Sequence, residues 1–182
     1  MDALRRSLRE APVVDRGDYH YFVHGVTDGV PPLEPEILRE VADGLSATLD
    51  LDDVDTIVVP EAMGIHHGAA LSMAVDRPLT VVRKRSYGLP DEIAVHQETS
   101  YGESELYLNG VSDGDRVVLV DDVLSSGGTI RAVSEAIDAA GAELVDVGVV
   151  LRRVDVDHGS LPRTVNALLD VRVVDGQVEI VD

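Results

Sequence analysis

The stretch Val117-Val118-Leu119-Val120-Asp121-Asp122-Val123-Leu124-Ser125-Ser126-Gly127-Gly128-Thr129 decides the fold. Four aliphatic residues in succession, without polar alternation, have the form of a parallel strand buried on both faces. Two carboxylates and a Ser/Gly turn follow. Ile130, Val133, Ala136, Ile137 and Ala140 then mark one face of a helix that stops at Gly141. This order sets carboxylate acceptors beside the free N–H groups of a helix N-terminus. Gly127 and Gly128 let the backbone approach an anion, and Ser125, Ser126 and Thr129 add hydroxyl donors. The corner therefore suits a ligand that joins a phosphate to vicinal hydroxyls.

Working outward, the same alternation of strand and helix continues. Ile37, Leu38, Val41, Leu45 and Leu49 fall at helical spacing across 35–49, behind a leading proline. Residues 56–59 form a β-branched strand, followed by a Gly-containing turn and an Ala-rich helix over 68–75. Residues 79–82 read as a second strand, 144–151 as a fourth after the one at 117–120, and 167–174 with 177–181 as a hairpin closed by a type I′ Asp175-Gly176 turn. Before residue 35 the chain reads as irregular. Between Arg83 and Glu105 no period is evident, and a connection of that length is expected to be a functional flap. Strand–helix alternation implies right-handed crossovers and a parallel sheet, with ligands at the carboxyl ends of its strands, after Val59, Val82 and Val120.

Composition narrows the class of partner. The 182 residues hold 34 acidic and 15 basic side chains, a formal net charge of −19, and nothing suggests more than one domain. Such a surface repels polyanions, which argues against nucleic acid as the partner. With 45% hydrophobic residues in patterned runs the chain is not disordered in character. It has no cysteine, so thiolate chemistry is excluded, and it has no apolar run long enough to span a bilayer, so a soluble cytoplasmic protein is expected. A dense carboxylate surface is easier to sustain where salt screens it, which points to a high-salt cytoplasm. Against that background Arg83-Lys84-Arg85 stands out, because Lys84 is the chain's single lysine. Cations gathered at a strand end suit a polyanionic group. His66-His67 reads as a loop pair, since adjacent residues do not share a helix face and no third metal ligand is evident.

The 117–129 segment resembles the signature of class I phosphoribosyltransferases, which bind phosphoribosyl pyrophosphate (PRPP). Pro60-Glu61-Ala62-Met63-Gly64 is similar to the family's pyrophosphate loop. Arg83-Lys84-Arg85-Ser86-Tyr87-Gly88-Leu89-Pro90 with Tyr101-Gly102 resembles its flexible catalytic loop. The likeness spans about 18–148 and is nearest to the archaeal hypoxanthine/guanine branch, through Asp18-Tyr19, Glu61-Ala62-Met63-Gly64 and Glu105-Leu106-Tyr107-Leu108-Asn109-Gly110.

The resemblance implies an α/β type I phosphoribosyltransferase fold: a central, mainly parallel sheet flanked by helices, with a flexible loop (84–105), a small hood (1–34) and a C-terminal hairpin (164–182). It implies a purine salvage enzyme acting on PRPP and a purine base with Mg²⁺, as a homodimer. Asp121, Asp122 and Lys84 would be catalytic. Ser125, Ser126, Gly127, Gly128, Thr129, Glu61, Ala62, Met63, Gly64, Arg83, Arg85 and Tyr101 would bind PRPP. Mg²⁺ would be held mostly through substrate and water, near Asp121 and Asp122. Tyr19, Tyr21, Phe22 and His24 cluster in a chain with only 3% aromatics, so Tyr21, Phe22 and His24, with Val123 and Leu124, are the candidates for the base. A non-proline cis peptide is expected at Glu61-Ala62 by the same resemblance. Adenine enzymes resemble Glu-Ala-Arg-Gly where this chain has Met63, which removes one cation from the pyrophosphate site and weighs against adenine. They often have Glu where it has Ser100, so that glutamate's role is not carried over. The branch likeness makes hypoxanthine or guanine the expected base ahead of adenine. The rival reading is a PRPP-sensing regulator of the same fold without catalysis.

Overall fold

The computed structural model describes residues 1–16, 19–99 and 102–181. In chain order its elements are α1 (Asp2–Arg9), β1 (Val13–Arg16), β2 (Tyr19–Phe22), α2 (Gly25–Asp28), α3 (Pro35–Thr48), β3 (Thr56–Pro60), α4 (Gly64–Val75), β4 (Leu79–Val82), β5 (Ile93–Thr99), β6 (Gly102–Leu108), β7 (Arg116–Leu124), α5 (Gly128–Ala139), β8 (Glu143–Arg153), β9 (Asn166–Val174) and β10 (Gln177–Val181).

Six strands form one sheet in the order β10-β9-β8-β7-β3-β4. Neighbours from β4 through β9 run parallel, and β10 closes one edge antiparallel to β9. The aliphatic runs are buried on both faces by period-2 alternation. Ile57, Val59, Val118 and Val120 share a core with Leu4, Leu8, Val41, Leu45 and Leu71 from α1, α3 and α4. Val58, Val117, Leu119, Val147 and Val149 face the other way, onto Ile130, Val133 and Ile137 of α5. The chain leaves β3 toward β4 on one side and leaves β7 toward β8 on the other. Between β3 and β7 the crossovers therefore diverge, and a crevice opens beyond their carboxyl ends.

Three stretches differ from the sequence reading. The first is the N-terminal region, which carries two helices and the β1–β2 hairpin instead of irregular chain. The second is α4, which begins at Gly64 and so holds His66 and His67 within the helix; His67 is fully buried and its Nε2 meets the Val26 carbonyl at 3.0 Å. Helical geometry turns His67 inward against α2, where burial pushes its pKa down to about 3. The third is the flap, which holds an antiparallel ribbon pairing Ile93 with Leu108 and Val95 with Leu106. Its period of two is short and ends at polar Gln97, so it escapes a search for longer apolar runs.

The start of α1 is legible only in three dimensions. Its free Ala3 and Leu4 N–H groups donate at 3.1 and 3.0 Å to the two carboxylate oxygens of Glu40, on α3. A cap supplied from 36 residues away leaves no local signal. Burial raises the Glu40 carboxyl, but these N–H donors and the N-terminal ammonium outweigh it and hold the group below its usual range. Glu40→Ala should lower the unfolding free energy by about 1–2 kcal/mol in urea titration. The parent's advantage should be present above the ordinary glutamate pKa and disappear as pH falls through the depressed one. An unchanged midpoint at neutral pH would remove Glu40 as the cap.

Candidate active site

β7 runs past its partner. Its pairing with β3 covers Val117 to Leu119, whereas pairing with β8 continues to Leu124. Asp121 and Asp122 thus stand on a strand held from one side and face the crevice on the other. Asp121 is buried; its Oδ1 accepts the Asp122 N–H at 2.9 Å and lies over the start of α4, where a Cβ on Gly64 would come within 3.2 Å of it. Burial raises the pKa of Asp121 to about 6, only partly offset by hydrogen bonding with Asp122 and by Lys84. Burial and the neighbouring Asp121 charge raise Asp122 well above its ordinary value. Adjacent carboxylates in a crevice do not both ionise cheaply, so proton binding by the pair is favoured relative to free carboxylates.

The turn after β7 positions donors. Gly127 takes φ +78° as N-cap of α5, and the segment beyond β8 packs against it. Arg131 donates to the carbonyls of His158 at 2.8 Å and Ser126 at 3.0 Å, so the turn is braced from outside while its inner face stays open. Residues Asp121 through Ile130 enclose a small cavity of about 130 Å³ here.

Across the crevice the Glu61-Ala62 peptide is cis. Glu61 binds the end of β4: its carboxylate accepts from Arg83 Nε and, at 2.9 Å, from the Lys84 N–H. Burial raises the Glu61 carboxyl, but these donors outweigh it and set it below the ordinary range. Arg83 also joins the ribbon, exchanging backbone hydrogen bonds with Tyr107 at 2.9 and 2.7 Å. Its guanidinium and that of Arg85 each lie 6.0 Å from the Tyr87 ring centroid.

One cavity of about 470 Å³ gathers these parts: Tyr21 and Phe22; Glu61, Ala62 and Met63; Lys84; Asp121, Asp122, Val123, Ser125 and Thr129. Of the run 83–85, Lys84 is the cation in its wall. Ser126, Gly127, Gly128 and Leu124 line the smaller cavity, and Leu124 is otherwise buried against α5. His24 does not line the cavity. Its Nδ1 caps α2 by accepting the Val26 N–H at 3.1 Å, and its Nε2 meets Ser7 Oγ at 3.0 Å. Burial lowers its pKa, against Asp28, so the neutral ring with the proton on Nε2 fits both bonds. The structure thus gives His24 a capping role in place of the expected contact with a base. Asp18, Ser100 and Tyr101 lie outside the described residues.

The sequence reading missed Thr27, Gln97, Ser104 and Arg153 in the wall. Arg153, at the carboxyl end of β8, was within reach of the strand-end rule. Its guanidinium binds Asp155 through two contacts of 2.7 Å and lies 5.7 Å from the Phe22 ring centroid, so it supports the aromatic side of the cavity.

Among the described residues no group of three or more His, Cys, Asp or Glu is placed to hold a metal. The neighbouring carboxylates Asp121 and Asp122 suit Mg²⁺, an ion that takes few protein ligands and keeps the rest from phosphates and water. No described helix is long and apolar enough to cross a membrane.

A strand-end acidic pair, a braced Ser/Gly turn at a helix start and a cation-bearing loop around one crevice define a class, and comparison with known proteins agrees. Residues 33–166 match the phosphoribosyl transferase domain family. The chain belongs to that family and has its type I fold. It is 70% identical over 179 residues, 98% of this chain and 96% of the relative, to HGPRTase-like protein 3 of Haloterrigena turkmenica. It is 48% identical over 183 residues, 100% of this chain and 97% of the relative, to the HGPRTase-like protein of Halobacterium salinarum. Among solved structures, adenine phosphoribosyltransferase of Thermoanaerobacter pseudethanolicus superposes with TM-score 0.77 at 21% identity, over 93% of this chain and 99% of that one. The Saccharomyces cerevisiae adenine enzyme, complexed with an imino-altritol bisphosphate and adenine, gives 0.75 at 22%, over 93% and 100%.

Proposed function

We propose that the protein is a purine salvage phosphoribosyltransferase that transfers the 5-phosphoribosyl group of PRPP to a ring nitrogen of hypoxanthine or guanine. The observation that carries this is the cavity in which Asp121, Asp122, Lys84, the 61–63 turn, Ser125 and Thr129 share a wall with Tyr21 and Phe22. Ser125 to Thr129 and the first N–H groups of α5 hold the 5-phosphate. Asp121 and Asp122 accept from the ribose hydroxyls, and their charge favours the positive character that develops at the anomeric carbon. The bond from that carbon to pyrophosphate breaks with the electron pair leaving on oxygen; the bond to the base nitrogen forms, and the nitrogen's proton passes to solvent. Lys84 and the main chain of 61–64 meet the departing anion, with Glu61 fixing where Lys84 begins. Mg²⁺, when bound, neutralises the pyrophosphate oxygens and makes them a better leaving group. The ribbon over the crevice excludes water from the reacting carbon.

Two points favour a 6-oxopurine. The archaeal relatives at 48–70% identity bear HGPRTase-like names, and Met63 leaves the pyrophosphate turn without the arginine of adenine enzymes. The acidic surface suits work in a high-salt cytoplasm. The test is competition at multimolar KCl: with PRPP and Mg²⁺, equimolar hypoxanthine, guanine and adenine are supplied and the nucleotides separated. The 6-oxopurine nucleotides should exceed AMP at least about tenfold, since a site that hydrogen-bonds a particular edge discriminates strongly. A preponderance of AMP would reverse the assignment.

A further inference from the structure

Gln97 is the polar end of an apolar ladder. On the inner face of the ribbon Ile93 pairs with Leu108 and Val95 with Leu106, all four packed in the core with α5; the next pair is Gln97 with Ser104, where the ribbon reaches the cavity. Gln97 is only 5% exposed, and an amide is costly to bury unless its hydrogen bonds are made. Both ends are used: Ser104 Oγ donates to Oε1 at 2.8 Å, and Nε2 donates to Thr129 Oγ1 at 2.7 Å.

An amide nitrogen only donates, so the Thr129 hydroxyl is the acceptor in that bond and its single proton is left for another partner. Thr129 is the second residue of α5 and lines the cavity beside Ser125. We infer that Gln97 is a positioning residue through which the ribbon completes the phosphate site, turning the Thr129 hydroxyl proton toward the bound 5-phosphate. The bonds run in one direction, Ser104 to Gln97 to Thr129 to phosphate, and each polarises the next. The inference rests on the reading of Ser125 to Thr129 as the phosphate corner.

The test is the Kd of ribose 5-phosphate, by calorimetry without metal in multimolar KCl, for the full chain, Gln97→Ala and the isosteric Gln97→Glu, together with KM for PRPP and for hypoxanthine. Gln97→Ala should bind ribose 5-phosphate about tenfold more weakly, the worth of one charge-assisted hydrogen bond. Gln97→Glu should bind more weakly still near neutral pH, because a carboxylate takes the Thr129 proton for itself and repels the phosphate. KM for PRPP should rise in both while KM for hypoxanthine holds, which a general loss of folding would not produce. Equal affinity in parent and Gln97→Ala overturns the inference. So does parental affinity in Gln97→Glu with a loss in Gln97→Ala, which would mean that the Thr129 proton points at residue 97. Parental failure to bind ribose 5-phosphate would overturn the phosphate corner itself, and this inference with it.

Discussion

Replacing Asp122 with asparagine should yield a protein that folds, melts at a higher temperature than the parent and turns over on the order of 10²–10³-fold more slowly. The kinetic loss follows from the role proposed for this charge, which is to favour positive character at the anomeric carbon. The gain in stability follows from the pair's burial. Burial shifts Asp121 from 3.8 to about 6, which at neutral pH corresponds to roughly 2–3 kcal/mol of unfavourable desolvation. The folded state therefore holds protons that the unfolded chain has released, and stability falls as pH rises from about 4 through 6. Asp122, which burial and the Asp121 charge also hold well above its ordinary value, adds to this dependence, so Asp122→Asn removes its share and should flatten the slope. Differential scanning calorimetry between pH 4 and 8, with pyrophosphate release measured alongside, checks both halves. An unchanged rate would remove the acidic pair from the chemistry, and a lower melting temperature would mean that the pair is structural.

Gly127→Ala should be the most damaging single-methyl change in the proposed phosphate corner. A Cβ there would lie 2.7 Å from Leu161 Cδ2 and 2.9 Å from both Arg131 Nη1 and the His158 carbonyl oxygen, on a backbone at φ +78°. Arg131 holds that carbonyl and the one of Ser126 together, so the added methyl pries the phosphate turn from its brace. Unfolding free energy should fall by about 2–4 kcal/mol, combining left-handed strain with overpacking. Ribose 5-phosphate affinity should fall more than about tenfold, because the N–H donors no longer converge. Gly176→Ala is the control: φ is +74° and the new Cβ meets nothing within 4 Å, so only the backbone cost of about 1 kcal/mol remains. Equal losses in the two variants, read from urea midpoints, would refute the steric account.

The sheet was legible because its strands are aliphatic runs and its crossover helices carry period-3.6 faces. These signals are local, and so is the chemistry of Asp121-Asp122 and the Ser/Gly turn. The hidden parts depend on contacts between distant segments. Helix α1 is capped by Glu40, and His24 and His67 are drawn inward by α2. The ribbon declares itself only through Ile93, Val95, Leu106 and Leu108, whose burial needs α5 beneath them. Gln97 and Ser104 look like ordinary loop residues until the register sets them opposite each other at the cavity. The aromatic segment shows the same limit: its composition suggested a base site, yet composition does not tell Phe22, in the wall, from His24, which caps a helix.

The most direct test of the central claim is pyrophosphate release by the parent protein with PRPP, Mg²⁺ and hypoxanthine in multimolar KCl. One pyrophosphate and one inosine monophosphate should appear for each PRPP consumed, with no release when the base is omitted. Tight PRPP binding without pyrophosphate release, with hypoxanthine, guanine or adenine, would contradict catalysis and leave a PRPP sensor built on this fold.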